Sequence, residues 1–255
     1  MSIYYPSEKN ALIKLYVPNP ERPINFVIEF MNLPENRLSV PMLESIGLAL
    51  DHIEAQLAKV PKGARGKGGS VITTSTGKFY SNGLLIEDLA KHKNHFDLAF
   101  KPTLARFINF GIPTIAAVNG HAFAGGAMLA LVHDYVVMNS EKGFICMNEV
   151  DLDFHLPVGI IDLVRNKANA PKYVKMMAMG HRFGGIEAEK AGLVDYAVPS
   201  SKLLETAIAL ADNASLKTIG NGNTIRLIKA DLNRHVVESM IKGSCEMPDA
   251  YLSKL

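Results

Sequence analysis

Apolar positions along this chain change period several times, and each change marks an element. Alternation over "ALIKLYV" (11–17) and a nearly continuous apolar run in "INFVIEFM" (24–31) read as two strands joined by the Pro-rich turn "PNPERP". From Ser39 the period lengthens. Leu43, Ile46, Leu50, Ile53, Leu57 and Val60 recur at three and four positions, behind a serine suited to cap a helix and with Pro41 in the first turn. A basic glycine loop, "KVPKGARGKGG" (59–69), then leads to a strand, "SVITTST" (70–76), and to a polar helical region over 88–109. Strands are predicted at "TIAAVNG" (114–120), "YVVMN" (135–139) and "FICMN" (144–148), and helices after residue 170 at 171–180, 186–191, 201–213 and 222–241. Strands alternating with helices predict a mainly parallel α/β core. The helical tail is expected to pack on that core or on a neighbouring subunit.

One stretch needs a decision. Gly111 to His133 contains no Asp, Glu, Lys or Arg and is long enough to span a bilayer. Its period changes halfway, and Pro113, Asn119, His121 and its glycines interrupt it. A buried strand–turn–helix accounts for that break, so no membrane span is expected.

Composition narrows the classes. Of 255 residues, 48% are apolar and 20% charged, the balance of a soluble globular protein with a sizeable core. A net charge of +2 and the absence of Trp argue against nucleic acid as a partner. Cys146 and Cys245 stand apart and form no C-x-x-C pair, so neither a disulfide framework nor a metal site is expected, and a reducing compartment fits. The N-terminal residues lack the basic flank and apolar run of a secretory signal. The last three residues, Ser253, Lys254 and Leu255, spell a peroxisomal address read by an import receptor.

Candidate chemistry begins with a turn that has no reactive side chain. "GHAFAGGAMLAL" (120–131) places two glycines before an apolar helix, where free backbone N–H groups gather and an acceptor can approach closely. A close-packed crossover with no ligand would show the same local pattern. A second turn, "GKFYSNGLLIEDL" (77–89), also follows a strand, has Gly83 at its apex and enters a helix. Two such turns suffice to aim two N–H groups at one carbonyl oxygen, which is what stabilising an enolate requires.

Together with "MNEVDL" (147–152) and "EAEKAGLVDYAV" (187–198), these segments resemble the crotonase (enoyl-CoA hydratase/isomerase) superfamily, and within it the peroxisomal Δ3,Δ2-enoyl-CoA isomerases. The resemblance implies a ββα spiral core over 1–197 carrying an acyl-CoA site, and a C-terminal helical region over 198–255 for packing and oligomerisation. It implies N–H donors at Leu84 and Gly125, a catalytic Glu149, and substrate contacts from Ser81, Asn82, Gly83, Leu85, Gly126 and Met128. It implies no cofactor, because coenzyme A is part of the substrate, and a homotrimer or hexamer in the peroxisomal matrix.

Hydratases of the superfamily use a second glutamate where this chain has Met128, which cannot hold or activate a water. One carboxylate suits an isomerase, and burial among Met128, Met147 and Leu85 is expected to raise its pKa. Dienoyl isomerases and related hydrolases usually add an Asp where Pro157 stands. Asp151, Asp153 and His155 remain rival bases, since a continuing strand would put both aspartates on the face of Glu149. Asp153 and Leu85 depart from residues usual in the family, a Gly and an Asp. Asn82 is either a turn residue or a partner of Glu149 or water. His121 is expected to be a packed turn histidine. Lys59, Lys62, Arg65 and Lys67 read as a solvated loop in preference to a contact for coenzyme A phosphates, while Arg226 and Lys229 are candidates to reach the nucleotide of a neighbouring subunit, as tail residues do in members of the family it resembles. The rival readings are a hydratase or dienoyl isomerase, and a non-catalytic homologue that binds acyl-CoA.

Overall fold

The strand-like runs pair as their patterns require. A computed structural model describes residues 2–66, 68–91, 96–156, 158–167 and 172–242. Pro157, Lys67, Cys245 and the tripeptide 253–255 lie outside the described residues. At the N-terminus, β1 (Ser2–Tyr5), β2 (Ile13–Tyr16) and β3 (Asn25–Phe30) form an antiparallel meander. The helix α1 (Val40–Leu57) follows, with the Ser39 side chain accepting from the Met42 N–H, a cap worth about 1 kcal/mol. The strands β4 (Ser70–Ser75), β6 (Thr114–Val118), β8 (Tyr135–Asn139) and β11 (Tyr196–Val198) extend the meander with parallel pairings, in the order β1-β2-β3-β4-β6-β8-β11. A smaller sheet runs β10-β9-β7-β5, from β5 (Phe79–Ser81), β7 (His121–Phe123), β9 (Phe144–Cys146) and β10 (Phe183–Gly184).

Between the two sheets sits the main core. It takes Met42, Ile46, Leu50 and Ile53 from α1, Leu104 and Phe107 from α3 (Lys101–Ile108), and Leu129 from α4 (Gly125–Leu131). The opposite face of the large sheet is covered by α8 (Leu203–Ser215), whose Leu203, Ala207 and Ala211 pack on Val27, Ile72, Ile115 and Val137.

Three expected helices come out differently. The region 88–109 breaks into α2 (Ile86–Lys91), a π-helical turn over Phe96–Phe100 and α3. The tail helix over 222–241 divides at Asn233 into α9 (Asn223–Leu232) and α10 (Arg234–Lys242). The helical stretch near 171–180 is preceded by another helix, α5 (Val158–Lys167), and shortens to α6 (Lys172–Met177); α7 (Gly185–Lys190) matches its expected range. The expected strand over 144–148 ends at Cys146, and Glu149–Leu152 forms a 3-10 turn instead.

Lys229 corrects a sequence expectation. Its ammonium is buried and donates to the carbonyls of Phe110 and Ile112 at 3.0 Å each, and to Asp134 Oδ2 at 2.5 Å. Asp134 also accepts from the Thr114 backbone N–H and hydroxyl. Burial pushes the Lys229 pKa down against the pull of Asp134. This lysine bolts α9 to the ends of β6 and β8 of its own chain, so it is not presented to a neighbouring nucleotide. Arg226 bonds Asn223 Oδ1 on its own helix.

Candidate active site

Three short strands of the small sheet, β5, β7 and β9, lie side by side and parallel. Each runs directly into one segment of the site: Asn82–Leu84 after β5, Ala124–Gly125 after β7, and Met147–Glu149 after β9. The three segments therefore emerge next to one another although the sequence spreads them over 68 positions (82 to 149).

The first turn is held from outside by residues 35–38. Gly83 has φ +79°, a left-handed conformation that costs glycine nothing. Its carbonyl accepts from the Leu38 N–H at 2.8 Å. Arg37 Nη1 donates to the carbonyls of Asn82 at 2.9 Å and Leu84 at 3.3 Å, while its Nε bonds Glu35 Oε2. Asn82 Nδ2 donates to Glu35 Oε1 at 2.8 Å, and the Asn82 N–H to the Glu35 carbonyl. The guanidinium holds the Glu35 carboxyl below its ordinary range. Asn82 is thus a turn residue bonded to Glu35, and not to Glu149. All three carbonyls of the turn are occupied, whereas the Leu84 N–H has no acceptor among the described residues.

The second turn is strained. Ala124 sits at φ 49°, ψ −121°, a region that residues with a Cβ rarely occupy. It is held there by its N–H on the Cys146 carbonyl and by its carbonyl, which accepts from Ala127 and Met128. Gly126 lies flush on β5: a Cβ there would stand 2.2 Å from the Ser81 carbonyl oxygen. The two turns abut. A Cβ on Gly125 would lie 3.4 Å from the Leu84 nitrogen, and one on Gly83 would lie 3.2 Å from the Gly125 nitrogen. The Gly125 N–H, first in its helix, also lacks an acceptor among the described residues. Beneath the turns a buried chain of polar groups, Tyr80 to Thr73 (2.7 Å) to His133 (3.0 Å), ties β5 and β4 to the end of α4.

Glu149 completes the arrangement. It is 5% exposed, its Oε2 has no hydrogen-bond partner among the described residues, and burial pushes its pKa up to about 7. A cavity of about 280 Å³ is bounded by Glu149, Leu84, Gly125, Met128, Asn82 and Arg37, with Phe96, Leu152, Phe154 and Leu156 among its apolar walls. Among the described residues Glu149 is the only carboxylate lining it, and Arg37 the only cation. Asn148 also lines the cavity, its Oδ1 without a hydrogen-bond partner among the described residues.

Other expected contacts fall elsewhere. Ser81, Gly83, Leu85 and Gly126 do not line the cavity. Ser81 is fully buried and its hydroxyl donates to the Asn36 carbonyl, so with the two glycines it shapes the turns from behind. Asp151 and Asp153 do not share the face of Glu149, because the 3-10 turn replaces strand alternation there. Asp153 adopts φ 52° and lines, with His155, a neighbouring cleft. His121 stacks among Phe79, Phe123 and Phe144 on the outer side of the small sheet, with its pKa lowered by burial and by Lys78 and Arg182. Lys59, Lys62 and Arg65 are exposed. Sequence reading missed Arg37, Glu35 and Asn148. Only Asn148 had a signal, as the neighbour of Glu149 in "MNEVDL".

Comparison with known proteins adds identity to this geometry. Residues 31–245 match the family model described as enoyl-CoA hydratase/isomerase. Enoyl-CoA delta isomerase 3 of Arabidopsis thaliana is 35% identical over 220 residues, covering 81% of this chain and 87% of its own. Enoyl-CoA delta isomerase 1, peroxisomal, of the same plant is 30% identical over 220 residues, covering 83% and 87%. Among solved structures, human mitochondrial delta3-delta2-enoyl-CoA isomerase superposes with a TM-score of 0.77 at 23% identity, over 95% of this chain and 90% of that one. An enoyl-CoA hydratase of Mycobacterium ulcerans gives 0.78 at 18%, over 91% and 96%.

Proposed function

The chain belongs to the enoyl-CoA hydratase/isomerase family, and from that membership we propose that it moves the double bond of a 3-enoyl-CoA to the 2-position. The observation that carries the choice is that Glu149 is the one carboxylate lining the cavity among the described residues, with Met128 also lining it where a hydratase would place its second glutamate. In the proposed reaction the substrate's thioester oxygen accepts from the Leu84 and Gly125 N–H groups. Glu149 removes a proton from C2, and the electron pair of that C–H bond spreads through C1 onto the oxygen as a dienolate. The same carboxyl returns the proton to C4 as the C2–C3 double bond forms, so atoms and charge balance with no water consumed. Each N–H donor supplies about 3 kcal/mol to the enolate-like transition state. A pKa near 7 suits a group that must both take and give the proton near neutrality.

The shuttle calls for no cofactor, coenzyme A being part of the substrate. The isomerase names of the plant relatives support the reading. We extend the peroxisomal designation of one of them to this chain, within oxidation of unsaturated fatty acids, and assign trimer or hexamer assembly to residues 198–255. Incubating the protein with 3-hexenoyl-CoA and following the conjugated 2-enoyl product tests the reaction. Hydration product, or none, would refute it. A reporter carrying Ser253, Lys254 and Leu255, compared with one lacking Leu255, tests localisation, and light scattering tests assembly.

A further inference from the structure

Glycines stand at 120, 125 and 126 around the second turn, yet position 124, where the backbone takes a shape that suits glycine, carries a methyl. The left-handed well that alanine tolerates has ψ of about +47°, and at ψ −121° the peptide joining Ala124 to Gly125 is turned about half a revolution away from it. That peptide is planar, so its carbonyl and its N–H point in opposite directions. The carbonyl, on Ala124, accepts from the Ala127 N–H at 2.9 Å and the Met128 N–H at 3.1 Å in the first turn of α4. The N–H, on Gly125, is thereby turned away from α4, and both residues line the cavity. An alanine relaxed into its own well would exchange the two groups, giving up both helix bonds and turning the donor out of the cavity.

The methyl has a place of its own. A Cβ built on Gly83 would lie 3.2 Å from the Ala124 Cβ and 3.2 Å from the Gly125 nitrogen. The Ala124 methyl thus occupies the space that a side chain on Gly83 would need, over the bare apex of the first turn and beside the donor of the second. Strained residues persist where their surroundings over-determine them, and they gather at functional turns. Resting on the reaction proposed above, we propose that Ala124 is a positioning residue. Its methyl wedges the two donor turns at a fixed spacing and narrows its own ψ, so that the Gly125 N–H stays aimed at the thioester oxygen. Glycine at this position would keep the hydrogen bonds to α4, but it would leave the wedge empty and ψ free over a wide range.

Ala124→Gly separates this role from a structural one. Its kcat should fall about tenfold, short of the roughly hundredfold that removing a donor costs, with KM within about threefold. Its melting temperature should hold or rise by up to about 4 °C, because strain is relieved at the same position. Ala124→Ser restores the Cβ and should bring kcat back to within about threefold of the parent. The infrared carbonyl stretch of bound hexanoyl-CoA reads the two donors without turnover. In the parent it should lie below its value in free solution, and in Ala124→Gly it should move back toward that value. Unchanged kcat and an unchanged stretch in Ala124→Gly would overturn the proposal, as would a parent that shows no shift on binding. A loss shared by Ala124→Ser, or a lower melting temperature in Ala124→Gly, would make Ala124 a packing residue and overturn it too. A parent that does not isomerise 3-hexenoyl-CoA, with a carbonyl shift that still shrinks in Ala124→Gly, would remove the reaction and leave the positioning role standing.

Discussion

Arg37 reaches across from the β3–α1 loop to the Leu84 carbonyl at 3.3 Å, and the same nitrogen holds the Asn82 carbonyl at 2.9 Å. One guanidinium thus grips both ends of the turn whose exposed N–H is assigned to the substrate oxygen. Arg37→Ala should loosen that N–H without emptying the cavity. We expect kcat to fall by up to about a hundredfold, the cost of misplacing a catalytic group by an ångström, with KM within about threefold. Arg37→Lys should recover only part of the loss, since an ammonium lacks the planar fork. Equal losses in kcat and in thermal stability for both variants would reduce Arg37 to a scaffold residue.

Glu149→Gln should keep the cavity's shape and acyl-CoA affinity while lowering kcat by roughly 10² to 10⁴, the reach of a general base. Asp151→Asn and Asp153→Asn should stay near the parent rate, because neither lines the cavity. Steady-state kinetics on the three variants, beside a binding titration, would show it; an inactive Asp153→Asn would move the base.

The pH dependence follows from the same burial. Glu149 acts as a base only when ionised, so kcat/KM should rise with pH through about 7 and level off above it. Stability should run the other way. The folded-state pKa lies above the ordinary 4.5, so the folded chain prefers the protonated carboxyl; its stabilising contribution is complete below 4.5 and lost as pH rises through about 7. At pH 8, Glu149→Gln should be more stable than the parent, by on the order of 3 kcal/mol, with the gap closing toward pH 4.5. Melting curves at the two pH values would reveal an opposite trend if the carboxylate had a partner in solution.

Gly126→Ala should unfold the site where Leu84→Ala should not. The new Cβ would meet the Ser81 carbonyl at 2.2 Å, and overpacking against backbone costs about 1–3 kcal/mol or more. Leu84→Ala keeps its N–H, so its kcat should remain within about tenfold. A Leu84→Ala enzyme that folds normally yet is dead would refute the donor assigned there.

Lys229→Met should lower stability by about 3 kcal/mol, because it leaves Asp134 and the carbonyls of Phe110 and Ile112 without their shared donor. The pH profile of the remaining activity should not move. A changed affinity for acyl-CoA in the intact fold would instead return this lysine to the nucleotide.

Local pattern carried the long elements. Ser39 and the three-and-four spacing behind it mark α1, and the runs at 70–76 and 114–120 lie on β4 and β6. It overran β9 by two residues and did not carry β5 or β7, each three residues long, since so short a segment shows no alternation and exists only through its pairing. The site shows the same division. Glu149, Leu84 and Gly125 stood in recognisable segments, and the structure brings them to one cavity. The clamp was invisible, because Arg37 and Asn82 are 45 positions apart and only the fold brings them together. The aspartates after Glu149 were misplaced because a 3-10 turn has a period of three and a strand a period of two.

Because Leu84, Gly125 and Glu149 leave three adjacent parallel strands, the hydrogen-bond ladder acts as a ruler for the reaction. Neighbouring strands sit about 4.8 Å apart whatever their side chains, while a step along a strand is about 3.3 Å. The sideways interval between the base and the two amides is therefore fixed by the backbone and indifferent to substitution. Only the lengthwise interval is adjustable, by inserting or deleting a residue where β9 runs out. A descendant of this chain that attacked a carbon farther along its substrate would have to be re-indexed by such a step, and point mutation alone would not accomplish it.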